Sequence, residues 1–373
     1  MNRLIVLSNV LNIPLELSKL ILKYDFFLKG AVDRTIKLPG NDTDMYIINE
    51  SKMVLSDRYA RSITIVNLET KKVEHRFYEE NDIVKLFIFH NRIVTLLDNG
   101  KVNIWNPVTK KLQYTYDFNI EWIEIYDKDY FLSQEENTLT LWDPKTGETF
   151  YEYQTNDRFI AILSNNLILL QRKRSIEDTI KHYLVLLDIT TGESFTIKTD
   201  DYFFKSNVYF TIYTSLGNGK FVISTIDNII IVCDSITRRT IFTTILPNNR
   251  KLQSIEQIVK FTDQKILIVL KRGIIYTLNL NSQHVISSFP LNKIGKVLVL
   301  ADQIIIHSEN LIKIWFAEDF FNTIDINPVF SEKLIYQLLI LPTGKLACLN
   351  AEYNYSDDEE YERESYSVLT ILE

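Results

Sequence analysis

Only two cysteines occur in the 373 residues, Cys233 and Cys348. They stand far apart, so a disulfide framework and a cysteine metal site are both excluded, and a reducing compartment fits best. Long apolar runs are missing too: none approaches the roughly 18 residues of a membrane span. The opening "MNRLIVLSNV" turns polar at Ser8 and Asn9, and no small-residue cleavage site follows, so no secretory leader is expected. A basic excess is absent. The net charge of -7 argues against nucleic acid as partner. Together these place the chain in the cytoplasm, away from membranes. Glycine numbers ten, and neither a Gly-rich phosphate loop nor a Gly-x-Ser-x-Gly elbow occurs. The five histidines, His75, His90, His182, His284 and His307, have no second ligand at metal spacing. No cofactor, metal or catalytic group is expected.

What is abundant is hydrophobic residues, 46%, enough for a large core, and repetition. "LWDPKTGETF" begins at Leu141, and "IVNLETKKVE", "IWNPVTKKLQ", "LLDITTGESF", "VCDSITRRTI" and "TLNLNSQHVI" begin at Ile65, Ile104, Leu186, Val232 and Thr277. Each centres on Asn or Asp followed three residues later by Thr or Ser. The Asx side chain can accept from the amide two residues on, and the hydroxyl closes the turn similarly. Gly147 and Gly192 add a left-handed position. β-prone residues precede each turn and a mixed stretch follows, so the phrase reads as a hairpin.

The Asx residues fall at 67, 106, 143, 188, 234 and 279, in steps of 39, 37, 45, 46 and 45. Trp315–Phe316 occupies the next such place, and "SVLTILE" reads as the eighth strand of this kind. A period near 40–45 with four short strands is that of a β-propeller blade. The fold expected is all-β: an eight-bladed propeller of four-stranded antiparallel blades, with seven blades as the alternative. "VKLFIFH" and "RIVTLLD" read as inner strands covered on both faces, "KKVEHRFY" as an outer one. The last unit lacks a fourth strand, and "DRTIKLPG" supplies it: Thr35–Leu38 is expected to close the final blade, removing an open seam.

Residues 31–373 therefore resemble the WD-repeat propellers, most closely at Trp142-Asp143, the family dipeptide. The Gly-His pair of that family is absent, so its buried His–Asp network is not implied here. The Asp-x-x-Thr-Gly phrase also occurs in quinoprotein-like propellers.

Residues 1–30 read as a helical segment. Leu17, Leu20, Ile21, Tyr24, Phe27 and Leu28 share one helical face, with Pro14 in the first turn and Gly30 just past the end. Ile13-Pro14-x-Glu16-Leu17-x-x-x-Ile21 resembles a truncated F-box, such as repeat proteins of large DNA viruses carry; the resemblance implies docking to a ubiquitin-ligase adaptor. Packing of this helix on the propeller stays open beside it.

Two long connections break the repeat. "QRKRSIEDTIK", 171–181, carries Arg172, Lys173 and Arg174; "EYNYSDDEEYERES", 352–365, carries Asp357, Asp358, Glu359 and Glu360 among its seven acids. Both are expected as loops on one propeller face, on opposite edges, where they would orient a charged protein partner. Three functional readings stay open. The chain is a non-catalytic interaction scaffold recruiting substrates to a ubiquitin ligase in the (host) cytoplasm, a structural component of a viral particle, or an enzyme or ligand binder using the central channel. Oligomeric state is not legible.

Overall fold

In a computed structural model, the residues described are 35–38, 44–57, 60–70, 72–163, 166–176, 179–197, 210–247, 254–271, 273–290, 297–300, 303–308, 311–316, 323–326, 335–340, 346–353 and 365–372. The expected N-terminal helix, with Leu17, Leu20, Ile21, Tyr24, Phe27 and Leu28, lies outside them, as do Asp357, Asp358, Glu359 and Glu360. No helix occurs among the described residues, and so none long and apolar enough to cross a membrane.

Among the described residues the strands form eight four-stranded sheets. Seven take four consecutive strands in chain order. The first sheet is Asp44–Asn49, Lys52–Asp57, Ser62–Asn67 and Lys72–Tyr78. The second is Ile83–Phe89, Arg92–Leu97, Lys101–Asn106 and Lys111–Asp117. The third is Trp122–Ile125, Phe131–Glu135, Thr138–Trp142 and Thr149–Gln154. The fourth is Arg158–Ile162, Leu167–Ile176, Thr179–Asp188 and Ser194–Thr196. The fifth, sixth and seventh start at Phe210, Ile255 and Val297. The eighth joins the two extremities: Thr35–Leu38 pairs antiparallel with Ser365–Leu372, Thr35 facing Thr370 and Leu38 facing Ser367. The expected closing strand is therefore present.

The six Asx turns form as their chemistry requires. Asn67 Oδ1 accepts from the amides of Glu69 and Thr70 at 2.9 and 2.8 Å. Asn106, Asp188, Asp234 and Asn279 do the same, and Asp143 accepts from Lys145. Four residues past the Asx the backbone turns left-handed, at Lys110, Gly147, Gly192, Arg238 and Gln283. At all of these but Gln283 the residue also meets the fourth strand of the preceding sheet. A Cβ at Gly147 would stand 2.6 Å from Tyr116 Cε1. Tyr151 fills the same space at Gly192, whereas Arg238 instead lays its guanidinium over Phe195 at 3.3 Å. Gln283 has φ 62° and an exposed side chain, so it takes the left-handed cost without a return. Gln283→Gly is expected to stabilise the chain by about 0.5–1 kcal/mol, read as a higher urea midpoint; an unchanged or lower midpoint would refute it.

The chain divides into two compact units, one of residues up to Thr115 with Glu309–Lys313 and Ile324–Glu373, the other of Tyr116–Ser308 with Ile314–Thr323. In the first unit, successive side chains of one strand enter two cores. Met53 and Leu55 pack with Ala347 of the eighth sheet. Val54 packs with Ile83, Leu86 and Ile93 of the second. The second unit repeats the device: Ile168 and Leu170 join Leu132, Leu139 and Leu141, while Leu169 joins Phe221, Ile223 and Ile231. Two-sided burial explains the unbroken apolar runs of the middle strands. It is only partial on the first strand Ile83–Phe89, the "VKLFIFH" read as an inner strand, where Leu86, Phe87 and Phe89 are buried. Ile83–Phe89 is a sheet edge, and Val84 on it is 45% exposed. Edge backbone must find other partners. In the second unit the Gln257 amide provides them: its Nε2 donates to Val297 O at 2.8 Å and its Oε1 accepts from Val297 N at 3.0 Å. Both cysteines are buried, and burial pushes the Cys233 thiol up to about 12, away from reactivity.

Candidate interaction site

Residues 171–176 and 179–181 are strand, not the expected loop. Leu167–Ile176 and Thr179–Asp188 are ten-residue strands, paired from Leu167↔Asp188 to Ile176↔Thr179. Their partners stop early. The sheet's first strand ends its pairing at Arg158↔Gln171, and its fourth at Val185↔Thr196. Five residue pairs, from Arg172↔Tyr183 outward, therefore run on as a two-stranded ribbon. Arg172, Arg174, Lys181 and Tyr183 share one face, since directly opposed residues and alternate residues lie on the same side.

The three predicted cations divide at the root of this ribbon. Arg172 is internal. Its Nη2 lies 2.7 Å from Asp157 Oδ2, the Asp157 side chain is 8% exposed, and the carboxylate holds the guanidinium above its ordinary pKa. Removing either partner would strand the other charge. Lys173 and Arg174 are exposed, and Arg174 stands 5.8 Å from the Tyr183 ring centroid. Opposite Lys173, buried His182 meets Gln171 Nε2 through Nδ1 at 2.7 Å. Burial, then the Lys173 charge, depresses its pKa. The root is thus tied into the sheet, and the cations beyond it reach solvent.

A second feature went unseen in the sequence. Glu79, just past the first sheet, is buried, and its carboxylate accepts from Thr95 Oγ1 at 2.6 Å, Asn103 Nδ2 at 2.7 Å and Trp105 Nε1 at 2.7 Å. Thr115 Oγ1 donates to Asn103 Oδ1 at 2.9 Å. A carboxylate network thus braces the second sheet.

The same positions can be traced by register. In the fifth sheet they are Ile197, Ile223, Ile231 and Cys233, all buried and apolar. In the sixth they are Leu246, Ile268, Tyr276 and Leu278. In the third they are Phe118, Ser133, Thr140 and Trp142, with Glu152 in the place of Thr115. Here the space is not filled. Trp142 Nε1 donates to Ser133 Oγ at 3.0 Å. A pocket of about 90 Å³ opens between Phe118, Ser133, Glu135, Thr140, Trp142 and Glu152. The sequence signal that could have flagged both sites is a Trp immediately before the Asx residue, at 105 and 142 alike. Among the described residues no group of three His, Cys, Asp or Glu is placed to hold a metal ion.

No protein-family model and no curated protein matches the chain. Solved structures do. The C-terminal WD40 domain of Sif2 is similar with a TM-score of 0.64 at 13% identity, over 91% of this chain and 97% of that one. Sqt1 of Saccharomyces cerevisiae gives 0.65 at 12%, over 92% and 98%. The computationally designed Ika8 protein gives 0.61 at 14%, over 90% and 98%. At such identities the likeness speaks for the fold alone: the chain is an all-β propeller, similar in fold to the WD40 domain of Sif2.

Proposed function

We propose that the chain is a non-catalytic protein-interaction scaffold that holds an acidic partner on the ribbon of the fourth sheet. The observation that carries this reading is the ribbon itself: five residue pairs projecting past their sheet, with Lys173 and Arg174 exposed and Arg172 anchoring the root on Asp157. Strands projecting from a rigid sheet order their side chains at low entropic cost. Exposed cations on one element steer an oppositely charged surface. In its more specific form the scaffold is a cytoplasmic substrate-recruiting subunit. The ribbon engages the client, and Leu17, Leu20, Ile21, Tyr24, Phe27 and Leu28, which the sequence pattern sets on one helical face, engage a ubiquitin-ligase adaptor.

Affinity purification of the tagged full chain from native cells tests both forms. The variant Lys173→Glu/Arg174→Glu should lose the client, and the wild-type interaction should weaken as salt rises. The variant Leu20→Asp/Ile21→Asp should lose the adaptor while keeping its circular dichroism. Client capture that ignores both the charge reversal and salt would overturn the ribbon reading. Adaptor-free preparations from the wild type would overturn the recruiting role alone.

A further inference from the structure

We infer that the pocket of the third sheet is a subsite for one arginine side chain supplied by a protein partner. The inference does not rest on the ribbon. It starts from the internal comparison. The equivalent space is filled by Glu79 in the second sheet, by Ile197 in the fifth and by Leu246 in the sixth. In the third sheet Phe118 holds that place, yet about 90 Å³ stays open beside it. That volume suits the head of a side chain and is well below the roughly 300 Å³ at which small-molecule pockets begin.

The lining selects the charge. Glu135 and Glu152 border the space, and neither carboxylate has a hydrogen-bond or ion-pair partner among the described residues. Glu152 lies across from Thr140, and Thr140 across from Ser133, so these groups share one face of the sheet. The Trp142 indole N–H is already engaged by Ser133 and is not offered to an anion. A carboxylate like that of Glu79 would meet two of its own sign; a cation would meet two opposite ones.

The lining also selects shape. Phe118 is 37% exposed and is held in place by Tyr116 and Trp142, at centroid distances of 5.5 and 5.3 Å. It offers a fixed flat face. A guanidinium is planar, stacks on such a face and donates in a fork to carboxylates, whereas an ammonium does neither as well. The chain itself uses both contacts, Arg238 over Phe195 and Arg172 on Asp157.

The test uses the full chain labelled with [15N]tryptophan, whose indole signals are assigned by substitution, titrated with the tripeptide acetyl-Gly-Arg-Gly-amide. The Trp142 indole signal is expected to move saturably. The citrulline peptide, neutral and isosteric, should leave it still, and the lysine peptide should bind more weakly than the arginine one. Glu135→Gln/Glu152→Gln changes two exposed side chains and should keep the native circular dichroism while weakening arginine binding at least about fivefold. Glu152→Gln alone should give a partial loss. A Trp142 signal unmoved by arginine, an equal response to citrulline or to a glutamate peptide, or full affinity in the double variant would each overturn the inference. Binding that survives Lys173→Glu/Arg174→Glu would separate it from the ribbon reading.

Discussion

Trp142→Ala is expected to lower stability by about 3–5 kcal/mol, seen as a large fall in the urea midpoint followed by circular dichroism. Among the described residues Trp142 is the largest fully buried side chain. Its ring meets Phe131 edge-on at 5.4 Å and Tyr116 at 5.1 Å, and such pairs add to the burial term. Truncation would open a cavity at the site where the third sheet is already incompletely filled, so collapse of neighbours offers little relief. It would also free the Ser133 hydroxyl in a buried place. Trp142→Phe keeps the ring contacts and loses the N–H; it should cost distinctly less. If alanine costs under about 1 kcal/mol, the aromatic cluster does not hold the sheet together.

The second large effect falls on Glu79. Its carboxylate is the common acceptor for three donors from two strands. Glu79→Ala leaves a buried Thr95 hydroxyl and Asn103 amide without it, each at about 1–3 kcal/mol. A loss of about 3 kcal/mol or more is expected, again from the urea midpoint. The other sheets supply the control. The same positions are apolar in the fifth sheet and pack without a carboxylate, and in the sixth only the Tyr276 hydroxyl is polar, donating to Pro247 O. Glu79→Leu combined with Thr95→Ile and Asn103→Ile should therefore recover much of the loss, because matched apolar groups replace a buried polar network at little net cost. A triple variant no more stable than Glu79→Ala would mean that the network, and not mere filling of space, specifies the second sheet.

These two residues mark the limit of what the sequence discloses. The Asx turns, the period and the closing strand were legible because each depends on local chemistry or spacing. Asn67 reaches amides two and three residues away, and Thr35–Leu38 was identifiable by the vacancy it fills. Glu79 was not legible. An acid just past a strand reads as a solvated turn residue, and its burial is decided by Asn103 and Trp105, 24 and 26 residues on. The ribbon was misread for a related reason. Lys173, Arg174 and Ser175 are exposed in succession, so the alternation that announces a strand is lost, and the three read as an inserted loop. The pocket is the same problem inverted: Phe118, Ser133 and Thr140 look like ordinary core positions, and only the register shows that nothing fills the gap between them.

The pairing of Thr35 with Thr370 has a bearing on how the protein is made. Thr35 emerges from the ribosome more than three hundred residues ahead of its mate, an interval of roughly 15 to 70 seconds at about 5–20 residues per second. Throughout translation this short segment waits with its backbone donors and acceptors unclaimed, while the intervening sheets, built from consecutive strands, can mature one after another. A nascent-chain chaperone thus has a defined window in which to shield that segment.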